Sequence, residues 1–277
     1  MKADCHMHMI LDGFDWRAAI GRHVDGPDEA FIHRMLVIWQ KEGYTYLRDG
    51  GDRWGAGARA RQLAPDYGIT YRTPLAPLCR AGHYGGFIGL QYENMKEYAA
   101  LVVQQKQQGA DFIKIMISGL MDFYHFGVLT EEGLPAQEIR ELIHIAHEEG
   151  MAVMTHANGA RTVEAAASAG VDSVEHGAYL DEDALAAMEE AGTVWVPTLS
   201  TIGNLLGKGR FPDIETAKIL ESALLNLERY KGLVASGTDA GAWAVPHGSL
   251  TEDDLLARAG IDENRLLQGE TVIKAKF

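Results

Sequence analysis

The sequence has few of the features that would place it outside the ordinary globular proteins. It contains two cysteines in 277 residues, Cys5 and Cys79, which excludes a small disulfide-stapled fold. It has no apolar run of about 18 residues, so a transmembrane helix is not expected. Residues 1–6 are too polar to resemble a secretion signal. We therefore predict a cytoplasmic protein.

Basic residues are also scarce, with 25 Lys and Arg against 39 Asp and Glu, which leaves a formal net charge of −14. A surface this acidic repels nucleic-acid phosphates and anionic lipids. We therefore expect neither a nucleic-acid partner nor a membrane partner. A small-molecule substrate is the expected partner, and assembly into a homo-oligomer is left open.

The sequence contains instead one repeated pattern, in which a helix-forming stretch ends in Gly and a short apolar or β-branched run follows directly. Gly is favoured just after a helix, where the chain adopts a left-handed conformation. Continuous apolar runs are typical of parallel strands that are buried on both faces. The pattern recurs at Gly43, Gly68, Gly109, Gly150, Gly170, Gly192 and Gly232.

Together with the opening run at residues 3–8, the pattern amounts to eight strand–helix units, which predicts an α/β fold with a parallel sheet. Eight units favour a closed (β/α)₈ TIM-type barrel over an open doubly wound sheet. An open sheet would also carry a glycine-rich phosphate fingerprint after its first strand, where His6-Met7-His8 stands instead. No low-complexity segment or Pro- or Ser-rich linker interrupts the chain, so residues 1–277 are predicted to form a single domain.

Polar side chains stand at the ends of several predicted strands. Residues i and i+2 of a strand point to the same side, so His6 and His8 converge. The residues concerned are His6 and His8 on strand 1, Lys114 on strand 4, His156 on strand 5, His176 on strand 6 and Asp239 on strand 8. In a barrel these ends form the C-terminal face, where active sites of this fold lie. Four imidazoles, a carboxylate and a lysine there predict a site for a divalent metal, with zinc the first choice.

Most of these residues have an ordinary structural explanation when taken alone. A His at a strand end is often a hydrogen-bonded structural residue, and Asp239 could cap the following helix. Lys114 is harder to explain, because a buried ammonium must be neutralised, paired or modified. The joint occurrence of these residues at strand ends favours the metal site.

This arrangement resembles the amidohydrolase superfamily, whose metal-dependent hydrolases are distorted (β/α)₈ barrels. Their pattern is HxH on strand 1, Lys on strand 4, His on strands 5 and 6, and Asp on strand 8, and each position has a counterpart here. The stretches IKIMISG, THANG, DSVEHG, VPTLST and GTDAG are similar to the imidazolonepropionase-like and Xaa-Pro dipeptidase-like groups. Those groups usually carry a short β-sandwich before strand 1, which we expect to be missing here.

The resemblance implies a binuclear metal centre. Lys114 would be carboxylated on its ε-nitrogen by carbon dioxide and would bridge two divalent metal ions, most simply zinc. One ion would be bound by His6, His8 and Asp239, and the other by His156 and His176. A hydroxide between the ions would be the nucleophile and Asp239 the general acid/base, so Asp239 and Lys114 are the expected catalytic residues.

Three further side chains are candidates for substrate binding. His83 and Tyr84 lie in a glycine-rich run after strand 3 that resembles a Gly-Gly-His-Gly segment of the same groups. Tyr179 follows His176 by three residues. Packing within the loops is the alternative explanation for these side chains.

The predicted function is hydrolysis of an amide-type C–N bond in a small substrate, a dipeptide or an N-acyl amino acid. A lactone, a phosphoester or a cyclic amide is an alternative on the same site, because loops rather than metal ligands select the substrate. A mononuclear deaminase is a second alternative, which would leave Lys114 without a role. A non-catalytic metal-binding barrel is a third, which would be expected to lack some of the ligands.

Overall fold

Parallel strands alternate with helices in the computed structural model, which describes residues 2–277. The strands are β1 (Lys2–Met7), β2 (Tyr44–Asp49), β3 (Thr70–Arg72), β4 (Leu78–Arg80), β5 (Leu90–Tyr92), β6 (Ile113–Met116), β7 (Val153–Ala157), β8 (Ser173–His176) and β9 (Val194–Val196). They form one sheet in the order β1-β2-β3 and another in the order β5-β4-β6-β7-β8-β9, with parallel pairing throughout. The predicted α/β fold with parallel strands is confirmed.

Most helices connect consecutive strands along the chain, and four of them follow β9. They are α1 (Trp16–Gly21), α2 (Glu29–Lys41), α3 (Ala56–Leu63), a 3₁₀ helix (Ala64–Tyr67), α4 (Met95–Gln107), α5 (Ala136–Glu148), α6 (Ala160–Ser168), α7 (Glu182–Ala191), α8 (Ser200–Gly203), α9 (Asp213–Arg229), α10 (Thr251–Arg258) and α11 (Glu263–Lys276). In α5 the buried residues Ile139, Leu142, Ile143 and Ala146 follow helical spacing. Within residues 2–277, no helix has both the length and the apolar character that crossing a bilayer requires.

The run that follows Gly68 forms only the short strand β3, and the next two strands belong to the other sheet. β3 pairs with β2, whereas β4 pairs with β6 and β5. Pro74 and Pro77 lie between β3 and β4, and proline has no N–H with which to continue a ladder. β4 and β5 have three residues each, which is too few to show a period in the sequence.

The residues of the predicted eighth strand form hydrogen bonds with neighbouring strands but do not form a regular strand. The carbonyl of Leu233 accepts from the Trp195 N–H of β9 (2.9 Å), and the carbonyl of Ser236 accepts from the Cys5 N–H of β1 (2.8 Å). Residues 233–240 therefore lie between an edge strand of the large sheet and an edge strand of the small one.

Helix α7 shows how local sequence sets the bounds of an element. The Asp181 carboxylate accepts a hydrogen bond from the Ala184 N–H (3.0 Å), which is the contact that an N-cap residue makes. At the other end Gly192 adopts a left-handed conformation with φ 67°, and its N–H donates to the carbonyls of the last turn. The helix thus begins and ends at its capping residues.

Replacing the cap should cost stability without touching the rest of the fold. In Asp181→Ala the Ala184 N–H loses its acceptor, which costs about 1 kcal/mol and should lower the thermal unfolding midpoint by about 2 °C or more. Calorimetry measures the shift. Asp181→Asn is the matched control, since it keeps an acceptor oxygen and should unfold close to the wild type; equal losses in both variants would contradict the capping role.

Candidate metal centre and its cavity

The six residues that the sequence singles out lie in or just beyond parallel strands of both sheets and in the segment 233–240. The strands within each sheet are parallel, so their carboxyl ends lie at one edge of that sheet. His6 lies in β1 with His8 just beyond it, Lys114 in β6, His156 in β7, His176 at the end of β8, and Asp239 in the segment 233–240. All line one cavity.

His6, His8 and Asp239 form a tight group of possible ligands. The Nε2 atoms of His6 and His8 are 3.4 Å apart, and they lie 3.6 and 3.4 Å from Oδ1 of Asp239. All three side chains are buried, and their ligand atoms lie within 4.8 Å of one another. Two imidazole nitrogens and a carboxylate oxygen that face one point can bind a divalent cation.

His156 and His176 lie beside this group as a second pair. Their ring centroids are 4.5 Å apart, and the His176 ring is 5.1 Å from that of His6. Nε2 of His156 is 3.1 Å from the Gly119 carbonyl, and Nδ1 of His176 is 2.7 Å from the Thr198 hydroxyl. These contacts leave Nδ1 of His156 and Nε2 of His176 as the nitrogens available to a ligand.

Lys114 is the least ordinary member of the site. Its side chain is buried, and within residues 2–277 no hydrogen-bond acceptor contacts its Nζ. Burial lowers the pKa of this amine to about 8, and the nearby carboxylates of Glu175 and Asp239 limit the shift. An appreciable fraction of the amine is therefore neutral near physiological pH.

Burial also sets the protonation of the other members. It lowers the pKa of His8 and of His156 to about 3, and it holds those of His6 and His176 well below their usual value. The imidazoles are therefore neutral, which is the form that binds metals. Burial raises the pKa of the Asp239 carboxyl well above its usual range, and the Lys114 charge opposes this shift. A bound cation would remove that penalty.

Glu175 lies beside the His6 ring on the side away from the other ligands. Its Oε2 lies 2.8 Å from Nδ1 of His6, while Nε2 of the same ring faces His8 and Asp239. Arg48, fully buried, contacts the other oxygen of Glu175 at 2.8 Å. Sequence reasoning did not single out Glu175, although its position next to His176 in the same strand was an available signal.

Asp4 joins the two chain segments that carry the first group. Its carboxylate accepts from the Thr238 hydroxyl (2.6 Å) and from the His6 N–H (3.0 Å). Beside Thr238, Asp239 adopts a left-handed backbone with φ 55°, and His176 does the same with φ 70°. Non-glycine residues adopt this conformation rarely and at an energetic cost, and they do so most often at functional sites.

The cavity in front of these residues has a volume of about 540 Å³, within the range of small-molecule sites. Of the three candidates for substrate binding, Tyr84 lines it, with its ring 4.7 Å from that of His156. His83 instead contacts the carboxylate of Glu131, and Tyr179 packs edge-on against Phe126. The structure thus places Tyr84 in the cavity and His83 and Tyr179 in the loops around it.

Gly50 leaves the space that the His8 ring occupies. It directly follows β2, and a Cβ atom built on it would lie 2.1 Å from Cε1 and 2.6 Å from Nε2 of His8. Both distances are far below van der Waals contact. A side chain at this position therefore has to displace the ring.

Gly50→Ala should for this reason weaken metal binding by about 10-fold or more, as expected when a ligand is misplaced. Zinc titration by calorimetry measures the change, and thermal unfolding verifies that the variant is folded. Gly21→Ala is the control, because a Cβ atom there meets nothing within 4 Å. Zinc affinity in Gly50→Ala equal to that of the wild type would show that His8 is not a ligand.

The sequence of residues 83–248, more than half of the chain, matches the profile of the amidohydrolase family. The chain therefore belongs to the amidohydrolase family. Within residues 83–248 lie Lys114, His156, His176 and Asp239. The resemblance inferred from the sequence is confirmed.

Two relatives illustrate the range of similar sequences. Ochratoxinase of Aspergillus niger is 26% identical over 274 residues, which is 84% of this chain and 55% of that protein. An uncharacterized protein of Mycobacterium bovis is 27% identical over 207 residues, which is 69% of this chain and 53% of that protein. The chain thus spans about half the length of these curated relatives.

Solved structures with a similar fold cover nearly the whole chain. A Xaa-Pro dipeptidase with bound methionine superposes with a TM-score of 0.78 at 23% identity, over 99% of this chain and 75% of that one. Ochratoxinase of A. niger superposes with a TM-score of 0.75 at 23% identity, over 99% of this chain and 69% of that one. At these identities the likeness establishes the fold.

Proposed function

We propose that this protein is a binuclear metal-dependent hydrolase of amide-type C–N bonds in small substrates, of the dipeptide or N-acyl amino acid class. The observation that carries the proposal is the buried group of His6, His8 and Asp239 beside an unpartnered Lys114 amine, at the inner end of a cavity. Membership of the amidohydrolase family supports it. Ochratoxinase and a prolidase bound to N-methylphosphonate-L-proline are among the similar proteins.

The proposal includes the architecture. We infer that the two sheets, with residues 233–240 between them, form one distorted (β/α)₈ barrel and that residues 1–277 are a single domain. The hydrogen bonds from residues 233–240 to both β9 and β1 support this interpretation. The cytoplasmic location and the homo-oligomer stay predictions from the sequence.

The donor set fits divalent metal ions. Oδ1 of Asp239 is buried without a hydrogen bond within residues 2–277, and two neutral imidazole nitrogens face it. His6, His8 and Asp239 would hold one ion, and His156 and His176 the other. Imidazole and carboxylate ligands favour zinc.

Lys114 would complete the centre as a carbamate. Its neutral amine attacks carbon dioxide, a nitrogen–carbon bond forms, and one proton leaves to solvent. The product is an anion in place of a cation, which resolves the burial of an unpartnered ammonium. It would lie between the two groups of ligands.

The metal ions, when bound, would polarise the scissile carbonyl and make a water molecule acidic enough to attack it near neutral pH. The chain's own residues supply the proton transfer. Asp239 accepts the proton of the attacking water on its carboxylate and passes it to the leaving amine nitrogen. Glu175 keeps His6 in one tautomer and orientation, and the Tyr84 ring covers His156.

Turnover of a substrate panel tests the reaction class. The zinc-loaded protein should release amino acids from N-acyl amino acids or dipeptides, and Asp239→Asn should lower kcat by about 100-fold or more because the proton acceptor is lost. Amino-acid release and metal content are both measured. Asp66→Asn, which changes an exposed carboxyl, serves as the control.

Other outcomes would contradict the proposed amide hydrolysis and indicate a different function. Turnover confined to a lactone, a phosphoester or a cyclic amide would change the bond class. Release of ammonia with one metal ion per chain would indicate a mononuclear deaminase. Metal binding without turnover of any of these substrates would indicate a non-catalytic barrel.

Lys114→Ala tests the bridge. The variant should lose metal and activity because the anion between the two ligand groups is gone, and acetate or propionate should restore part of both by entering the space. Elemental analysis measures the recovery of metal, and turnover measures the recovery of activity. Methylamine is the matched control additive and should restore neither. Lys114→Arg should resist rescue, since it fills the space with a permanent positive charge. Lys114→Ala with two metal ions per chain and full activity would contradict the carbamate.

A further inference from the structure

The outer part of the cavity is unusually aromatic. Away from the metal ligands and Lys114, its wall is made mostly of apolar side chains, with few polar ones. Its aromatic members include Phe14, Trp16, Phe123, Tyr124, Phe211 and Trp243. Several of them are exposed at the mouth, among them Phe14 at 71% and Tyr124 at 56%. Such a wall favours a substrate with a large apolar or aromatic group.

One cation stands in this wall. Arg210 lines the outer cavity, and apart from Lys114 and the histidines no other basic residue does so among residues 2–277. Within the same residues, no carboxylate forms an ion pair with its guanidinium. Asp122, an acidic residue that also lines the cavity, contacts His125 at 2.7 Å and accepts a hydrogen bond from the Tyr124 N–H at 2.8 Å.

Aromatic contacts hold Arg210 in place. Its guanidinium lies 4.2 Å from the centroid of the Trp243 ring, close enough for a cation–π contact. The next residue, Phe211, stacks on Phe123 with centroids 4.9 Å apart and meets the edge of Tyr124 at 5.4 Å. These aromatic contacts therefore hold the segment around Arg210 at the mouth of the cavity.

We propose that Arg210 is a specificity-determining residue that binds a carboxylate of the substrate while the aromatic wall holds an apolar group of the same molecule. The inference rests on the proposed amide hydrolase: it assigns the carboxylate of a dipeptide or N-acyl amino acid to Arg210 and narrows these substrates to those that also carry a bulky apolar or aromatic group. A guanidinium offers two parallel N–H donors that match a carboxylate, and its contact with Trp243 reduces the entropy lost on binding. Arg210 positions and selects; it takes no part in bond cleavage.

Binding of non-hydrolysable probes tests this role separately from turnover. The probes are the ketomethylene analogue of N-benzoyl-L-phenylalanine, in which CH₂ replaces the amide nitrogen, and its C-terminal carboxamide. The zinc-loaded wild type should bind the acid about 10-fold or more tightly than the carboxamide, as expected for a charge-assisted hydrogen bond. Arg210→Gln should bring the two dissociation constants together, and Arg210→Lys should retain part of the difference. Calorimetry measures all of them.

Arg17→Gln is the matched control. The Arg17 guanidinium lies 4.2 Å from the Trp16 ring centroid at the same mouth but does not line the cavity. This variant should keep the full preference for the acid. Equal binding of acid and carboxamide by the wild type, failure of both to bind at millimolar concentration, or the same loss of preference in Arg17→Gln would overturn the proposal. Selective binding of the acid without turnover of any amide would sustain the role of Arg210 and refute the hydrolase, so the two failures are distinguishable.

Discussion

The burial of Lys114 and Asp239 among neutral imidazoles is the constraint on which the rest of the structure depends. Taking an ammonium and a carboxylate out of water is costly unless each is compensated. Here Lys114 has no hydrogen-bond acceptor within residues 2–277, and the Asp239 carboxyl has a pKa far above its usual range. Keeping such groups buried is less costly with a compensating charge at the site, which the proposed metal centre would supply.

A second layer of polar contacts holds this costly arrangement in position. Glu175, itself paired with Arg48, orients His6 through Nδ1, and Asp4 ties the β1 backbone to Thr238 beside Asp239. These contacts join β1, β2, β8 and residues 233–240 at one point. The proposed ligands come from segments far apart in sequence. Their relative positions therefore depend on these contacts between the segments.

The outer cavity and the proposed metal centre differ in composition and in the elements that form them. The inner end is polar and comes from strand ends, whereas the mouth is aromatic and comes from loops. Strands hold the polar side chains in fixed relative positions, and the loops can change in sequence without moving those side chains. The inner residues are the ones that the sequence pattern predicts, whereas the positions of Arg210 and Trp243 at the mouth follow only from how the loops pack.

The sequence by itself predicted the parallel strands and the six residues of the proposed metal centre, and local sequence sets the two caps of α7. Asp181 and Gly192 act locally, apolar runs report burial, and a polar residue at the end of such a run is visible without a structure. Only the tertiary structure decided that β3 and β4 belong to different sheets, that Glu175 contacts His6, and that Tyr84 rather than His83 enters the cavity. These outcomes depend on which strands become neighbours and on how loops pack, and contacts between residues far apart in the chain leave no periodic signal in it.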